Sequence, residues 1–137
     1  MNLAMNNILN RIPEFCLSHW LLRVPLAIIF IQQGLSKFPI TADDAEAFEL
    51  SYIVWWFAAY GELGAGIGLI VSGLVIYYKK IEWMGDLLTR FCGITICSIM
   101  TGVIWVVQPD SLLDVLLYDN LHVLLWVGGL FLSLIHI

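Results

Sequence analysis

The sequence predicts an all-α integral membrane protein, a four-helix bundle with short loops, preceded by a helix lying at the membrane interface. Three observations lead there. Of the 137 residues 61% are hydrophobic and only 12% are charged, about half the charge of an ordinary soluble domain. The mean hydropathy is +0.89. The apolar residues also gather into four stretches, each near the roughly 20 residues that span a hydrocarbon core of about 30 Å at 1.5 Å per residue. Those stretches use almost the whole chain. The expected division is therefore an N-terminal amphipathic segment over residues 1–16 and a four-transmembrane-helix domain over residues 17–137.

Within residues 1–16, Leu3, Ile8, Ile12 and Phe15 recur at near-helical spacing beside Asn7, Asn10 and Glu14. This is the pattern of a helix lying along the surface, interrupted by Pro13. No basic start or A-x-A-like site marks this end as a cleaved leader. Helices are predicted at 17–38, 52–78, 87–107 and 116–135, and the brevity of the connections makes chain neighbours antiparallel.

Charge sets the orientation. Asp43, Asp44, Glu46 and Glu49 in the first connection, and Asp110, Asp114 and Asp119 in the third, stand without Lys or Arg. Arg11, Arg23, Lys79, Lys80 and Arg90 all fall toward the opposite side, so both termini are predicted to face the cytoplasm of a bacterial-type inner membrane. Trp20, Trp55, Trp56, Trp83 and Trp105 lie near predicted helix ends, where indoles favour the interface.

Several functions are disfavoured. The net charge of −5 and a basic cluster no larger than Lys79-Lys80 leave no nucleic-acid surface. Cys16, Cys92 and Cys97 form no CxxC or zinc pattern, and Cys92 and Cys97 lie about 140° apart around one helix, which disfavours a disulfide between them. The stretch GELGAGIG, starting at Gly61, follows no predicted strand and is no dinucleotide fingerprint. Its glycines fit a helix-packing surface instead. Gly64, Gly68 and Gly73 in the second helix, Gly93 in the third and Gly129 in the fourth are the expected close-approach points.

Inside a low-dielectric bundle each charged or strongly polar side chain costs a few kcal/mol unless it is paired, so these residues carry the functional signal. Glu62, about 15 Å into the second helix, is nearest the midplane. It is expected to face a polar pocket between the first, second and fourth helices, with Arg23, Gln33, Lys37 and His122 as candidate partners. Arg23 and Arg90 are alternatively headgroup anchors, Arg23 by snorkelling toward the cytoplasmic side. Asn120 and His122 open the fourth helix toward the outer side, whereas His19 and His136 lie near cytoplasmic ends. No two histidines have ligand spacing.

These residues carry a likeness. Arg23 in LLRVPLAIIFIQQGLSKF, followed by Gly34 and Lys37, then Glu62 opening ELGAGIGLIVSG, then Thr89-Arg90 and Met100, and lastly Asn120, Gly129 and Ser133-Leu134, resemble the DoxX-like family of small four-helix membrane proteins, related to DoxD and MauE. The resemblance spans Leu17 to the C-terminus. It departs from the family pattern in ending on Ile135, His136 and Ile137, without the acidic residue that often follows Ser-Leu. It implies membrane redox work: a subunit of thiosulfate:quinone oxidoreductase in the DoxD branch, maturation in the MauE branch. The expected function is a non-catalytic subunit or accessory protein of a larger, quinone-linked redox complex, with the bilayer and other membrane subunits as partners. No covalent cofactor is expected, and a quinone or lipid is the expected ligand. The alternative is a small-solute or proton transporter using the pocket around Glu62, while a stand-alone enzyme is disfavoured.

Overall fold

The computed structural model describes residues 18–106 and 110–134, so the expected interfacial segment, Cys16 and His136 lie outside the described residues. All regular structure among these residues is helical: α1 Ser18–Ser36, α2 Ala42–Ala47, α3 Tyr52–Val75, α4 Glu82–Val106, α5 Leu112–Tyr118 and α6 Asn120–Leu134. Two of these, α3 and α4, are long and apolar enough to cross a membrane.

Two of the predicted elements need correction. The last predicted helix is broken: Ser111 starts α5 by accepting a bond from the Asp114 amide, α5 ends at Asp119, and α6 then runs for 15 residues. The acidic connection likewise folds into a short helix. Thr41 accepts from the Asp44 amide at 3.2 Å and donates its hydroxyl to the Asp44 carboxylate at 2.5 Å. Each cap satisfies a helix-start amide that has no partner within its own helix. Glu49, with φ 56°, reverses the chain before Ser51 caps α3.

Close contacts fix the packing. Gly73 meets Trp20, Gly66 meets Ala27 and Ile31, and Gly34 meets Leu63, so α1 and α3 run antiparallel. Gly61 against Ile99 and Gly85 against Ile76 make α3 and α4 antiparallel, and Gly93 against Ser133 with Cys97 bonded to the Trp126 carbonyl does the same for α4 and α6. The acidic connections therefore share one end of the molecule, with Lys79 and Lys80 at the other.

The predicted close-approach glycines divide. A Cβ on Gly93 would lie 2.5 Å from the Gly129 carbonyl, Gly68 abuts the Cys92 sulfur, and Gly73 abuts Trp20 and Arg23. Gly64 does not pack: nothing lies within 4 Å of where its Cβ would be. The small-xxx-small spacing with Gly68 identified the wrong member, because Gly61 and Gly68 take the α4 contacts. Leu26, Phe30, Leu69, Cys92, Ile96 and Leu132 fill the core.

The distribution of polarity is inverted relative to a water-soluble domain. Leu21, Phe57, Phe91 and Leu124 stand exposed on four helices, whereas Arg23, Glu62, Ser72 and Thr89 are buried. Apolar faces of this extent belong in lipid or against other apolar protein.

Candidate functional site

Two polar centres lie along α1, one around Arg23 within it and one around Lys37, the residue that follows it. The first surrounds Arg23, which is 0% exposed. Its Nη1 donates to the Ser72 hydroxyl at 2.8 Å and the Leu69 carbonyl at 3.2 Å, and its Nη2 donates to the Thr89 hydroxyl at 2.9 Å. Ser72 and Thr89 donate in turn to the Leu69 and Gly85 carbonyls of their own helices. One guanidinium thereby ties α1 to α3 and α4. Its Nε is buried without a partner, and no carboxylate lies within ion-pair distance of Arg23 among the described residues. Arg23 does not snorkel to headgroups, because its fork geometry finds three acceptors inside.

The second centre is the pair expected around Glu62, narrowed to one partner. Lys37 Nζ donates to Glu62 Oε2 at 2.5 Å, with 12% and 4% of the two side chains exposed. A further bond runs from Lys37 to the Gln33 carbonyl at 3.4 Å. Helical spacing brings this about: Gln33 and Lys37 lie one turn apart, and Gly34 between them lets α1 approach the Leu63 backbone beside Glu62. The Lys37 ammonium also lies over the Trp55 ring, 5.3 Å from its centroid, and Phe48 stacks on that indole at 5.0 Å.

Above this pair opens a cleft of about 450 Å³, lined among others by Gln33, Lys37, Phe38, Asp44, Phe48 and Trp55. Its volume lies in the range of small-molecule sites. The indole Nε1 of Trp55 is buried and without a partner. Phe48 and Trp55 were not among the expected pocket residues. The aromatic run around Trp55 reads as an interfacial belt, and only the fold of α2 brings Phe48 onto it.

The other expected members stand apart. His122 pairs through Nδ1 with the Asp119 carboxylate at the α5–α6 break, and Asn120 is exposed at the start of α6. Neither is hydrogen-bonded to Glu62, because the break holds that histidine to its own chain segment. Arg90 donates to Asp86 at 3.0 Å and reaches the Ser133 carbonyl at 3.4 Å, joining α4 to the end of α6. Among the described residues no group of three or more His, Cys, Asp or Glu side chains could hold a metal ion.

Both centres draw on one stretch of chain. The family model described as DoxX matches residues 19–76, which contain Arg23, Gly34, Lys37 and Glu62. No curated protein and no solved structure gives a significant match.

Proposed function

From the match of residues 19–76 to the DoxX family model, we propose that this is a DoxX-like membrane protein and a non-catalytic subunit or accessory protein of a larger, quinone-linked redox complex. In this reading α1, α3, α4 and α6 cross an inner membrane of bacterial type, with both termini in the cytoplasm. The α5–α6 pair supplies the fourth crossing, since α6 alone, at 15 residues, rises only about 22 Å. The acidic connections then lie outside and Lys79 and Lys80 inside, as the excess of basic residues on cytoplasmic loops favours.

The observation that carries the accessory role is the use made of the interior charges. Arg23 is committed to three acceptors on α3 and α4, and Glu62 is committed to Lys37. Charges engaged in this way link one helix to the next rather than face a substrate, while the apolar outer faces remain for lipid and for other membrane subunits. Affinity purification from native membranes in mild detergent tests the reading. Redox subunits and extractable quinone are expected in the eluate, and repeated recovery of the chain without any redox partner would remove its basis.

One observation favours a second reading, a small-solute or proton pathway past Glu62: the cleft reaches Lys37, the direct partner of that carboxylate. Proteoliposome flux abolished by Glu62→Gln, in a variant that still folds, would favour transport over the accessory role.

A further inference from the structure

We propose that the cleft beside Lys37 binds a small, water-soluble organic ammonium ion, with Asp44 as its counter-charge and Phe38 and Phe48 as the walls against which its alkyl groups pack. The site gives a ligand class to the cleft of the second reading above without requiring that anything cross the membrane, and it is independent of any redox partner.

The protein already holds one ammonium in this way. Lys37 Nζ is paired with the Glu62 carboxylate at 2.5 Å and lies over the Trp55 ring, 5.3 Å from its centroid. An ammonium between a carboxylate and an aromatic face is stabilised by the opposite charge and by the ring quadrupole together. A second carboxylate and two further rings line the same cleft, and these are accessible. Asp44 is exposed there, and no Lys, Arg or His lies within ion-pair distance of it among the described residues. Phe38 and Phe48 are 37% and 54% exposed. Both Asp44 and Phe48 are held in place before any ligand arrives: the Thr41 cap bonds the Asp44 amide and carboxylate, and Phe48 is stacked on Trp55. Groups positioned in advance lose less freedom on binding.

Charge and size then select the ligand. Lys37 is the sole basic residue between Arg23 and Lys79, and Glu62 neutralises it, so Asp44 leaves the cleft with a net negative charge. Asp43 and Glu46 share the short helix of Asp44, and their field draws cations in and repels anions. A metal ion fits poorly, because hard cations take several oxygen ligands and among the described residues no group of three or more His, Cys, Asp or Glu could hold one. An alkylammonium needs a single carboxylate, and its apolar groups gain from the phenylalanine rings. A cleft of about 450 Å³ has room for such a molecule.

An ammonium of this kind occurs on free solutes and on zwitterionic headgroups, and the acidic field separates them because a headgroup brings a phosphate with it. The full chain, purified in dodecyl maltoside, is titrated at fixed ionic strength with choline, butylammonium, phosphocholine and dimethylbutanol, the uncharged carbon isostere of choline. Broadening of the ligand methyl resonances in solution NMR reports binding. Both ammonium ions should bind more tightly than dimethylbutanol, and choline more tightly than phosphocholine. Asp44→Asn, which keeps an acceptor for Thr41, should weaken butylammonium by about tenfold, the worth of one bond to a charged group. Phe48→Leu should weaken choline by about two- to fivefold. Asp43→Asn makes the same charge change on the same helix, outside the cleft lining, and should alter either affinity by less than about twofold. Dimethylbutanol binding as tightly as choline, phosphocholine binding more tightly than choline, no binding of either ammonium ion, or equal losses in Asp43→Asn and Asp44→Asn each overturns the proposal. Should a variant not fold, the comparison of probes on the unaltered chain decides alone. Any of these failures leaves co-purification with redox subunits untouched, so the two readings fail separately.

Discussion

Replacing Arg23 by Met should harm the fold less than replacing its partner Thr89 by Val. In the native protein Nη2 has one acceptor, the Thr89 hydroxyl at 2.9 Å, whereas Nη1 has two, Ser72 and the Leu69 carbonyl. Thr89→Val keeps the side-chain shape and strands a charged donor at a site that is 0% exposed, which costs about 2–3 kcal/mol. Ser72→Ala leaves Nη1 its carbonyl and should cost only about 1 kcal/mol. Arg23→Met removes the charge itself. Both hydroxyls keep bonds to their own helices, at 3.1 Å to Leu69 and 2.7 Å to Gly85, so no polar group is stranded. Substituting a buried ion by an apolar side chain of similar volume is often neutral or stabilising, and the expected change is within about 1 kcal/mol of zero. Unfolding in detergent micelles by titration with SDS, followed by circular dichroism, measures all three variants. The double variant Arg23→Met, Thr89→Val should match Arg23→Met alone. Additive losses, or Arg23→Met as harmful as Thr89→Val, would refute the reasoning.

The same unfolding assay tests two further expectations. Glu62→Gln retains an acceptor for Lys37 and should be mild, whereas Glu62→Leu leaves that ammonium without its carboxylate and should cost about 1–3 kcal/mol. Adding Lys37→Met to Glu62→Leu should restore most of the loss, and no recovery would show that the pair is not the source. Gly93→Ala forces a methyl group to 2.5 Å from the Gly129 carbonyl and should cost at least about 1–3 kcal/mol. Gly64→Ala, with open space around it, should gain up to about 1 kcal/mol from helix propensity; equal losses at both positions would contradict the packing. For the orientation, single cysteines at positions 43 and 114, on a background without native cysteine, should label from the periplasm, and one at position 80 from the cytoplasm. The reverse pattern would invert the assignment.

The helical segments were legible because unbroken apolar runs of 15 to 25 residues have few other uses. Two short helices were not, although their signal was present. Thr41-x-x-Asp44 and Ser111-x-x-Asp114 both have the Ser/Thr-x-x-acid spacing of a helix start, and in both the hydroxyl bonds the acid and its amide. Read only as acidic connections, they appear unstructured. Lys37 was legible as a candidate partner for Glu62 because one turn separates it from Gln33 on the same face. His122 was misplaced in that pocket because the break at Asp119, set by local capping, is not visible in hydropathy. The partners of Arg23 were missed for a different reason. Ser72 looks unremarkable and Thr89 stands out only through the family likeness, because hydroxyls in apolar helices usually bond back to their own carbonyls, and theirs do. Only the antiparallel register of α1, α3 and α4 reveals that each oxygen also accepts from a guanidinium.

That arrangement bears on how the chain enters a bilayer. Ser72 and Thr89 follow Arg23 by 49 and 66 residues, so during synthesis the cation emerges before either acceptor exists. Their hydroxyls are satisfied by local carbonyls, so neither hydroxyl needs a neighbour when α3 and α4 are inserted. In the membrane reading proposed above α1 differs, because a lone arginine in hydrocarbon is unfavourable and is held at headgroup depth. Its full seating must therefore wait until α4 has been made. Glu62 and Lys37, separated by 25 residues, impose the same order at the other end of α1 one step sooner. The first helix in the sequence thus settles only after Thr89 has been made, and truncation before Thr89 should leave α1 at the membrane surface, open to proteases that the finished protein excludes.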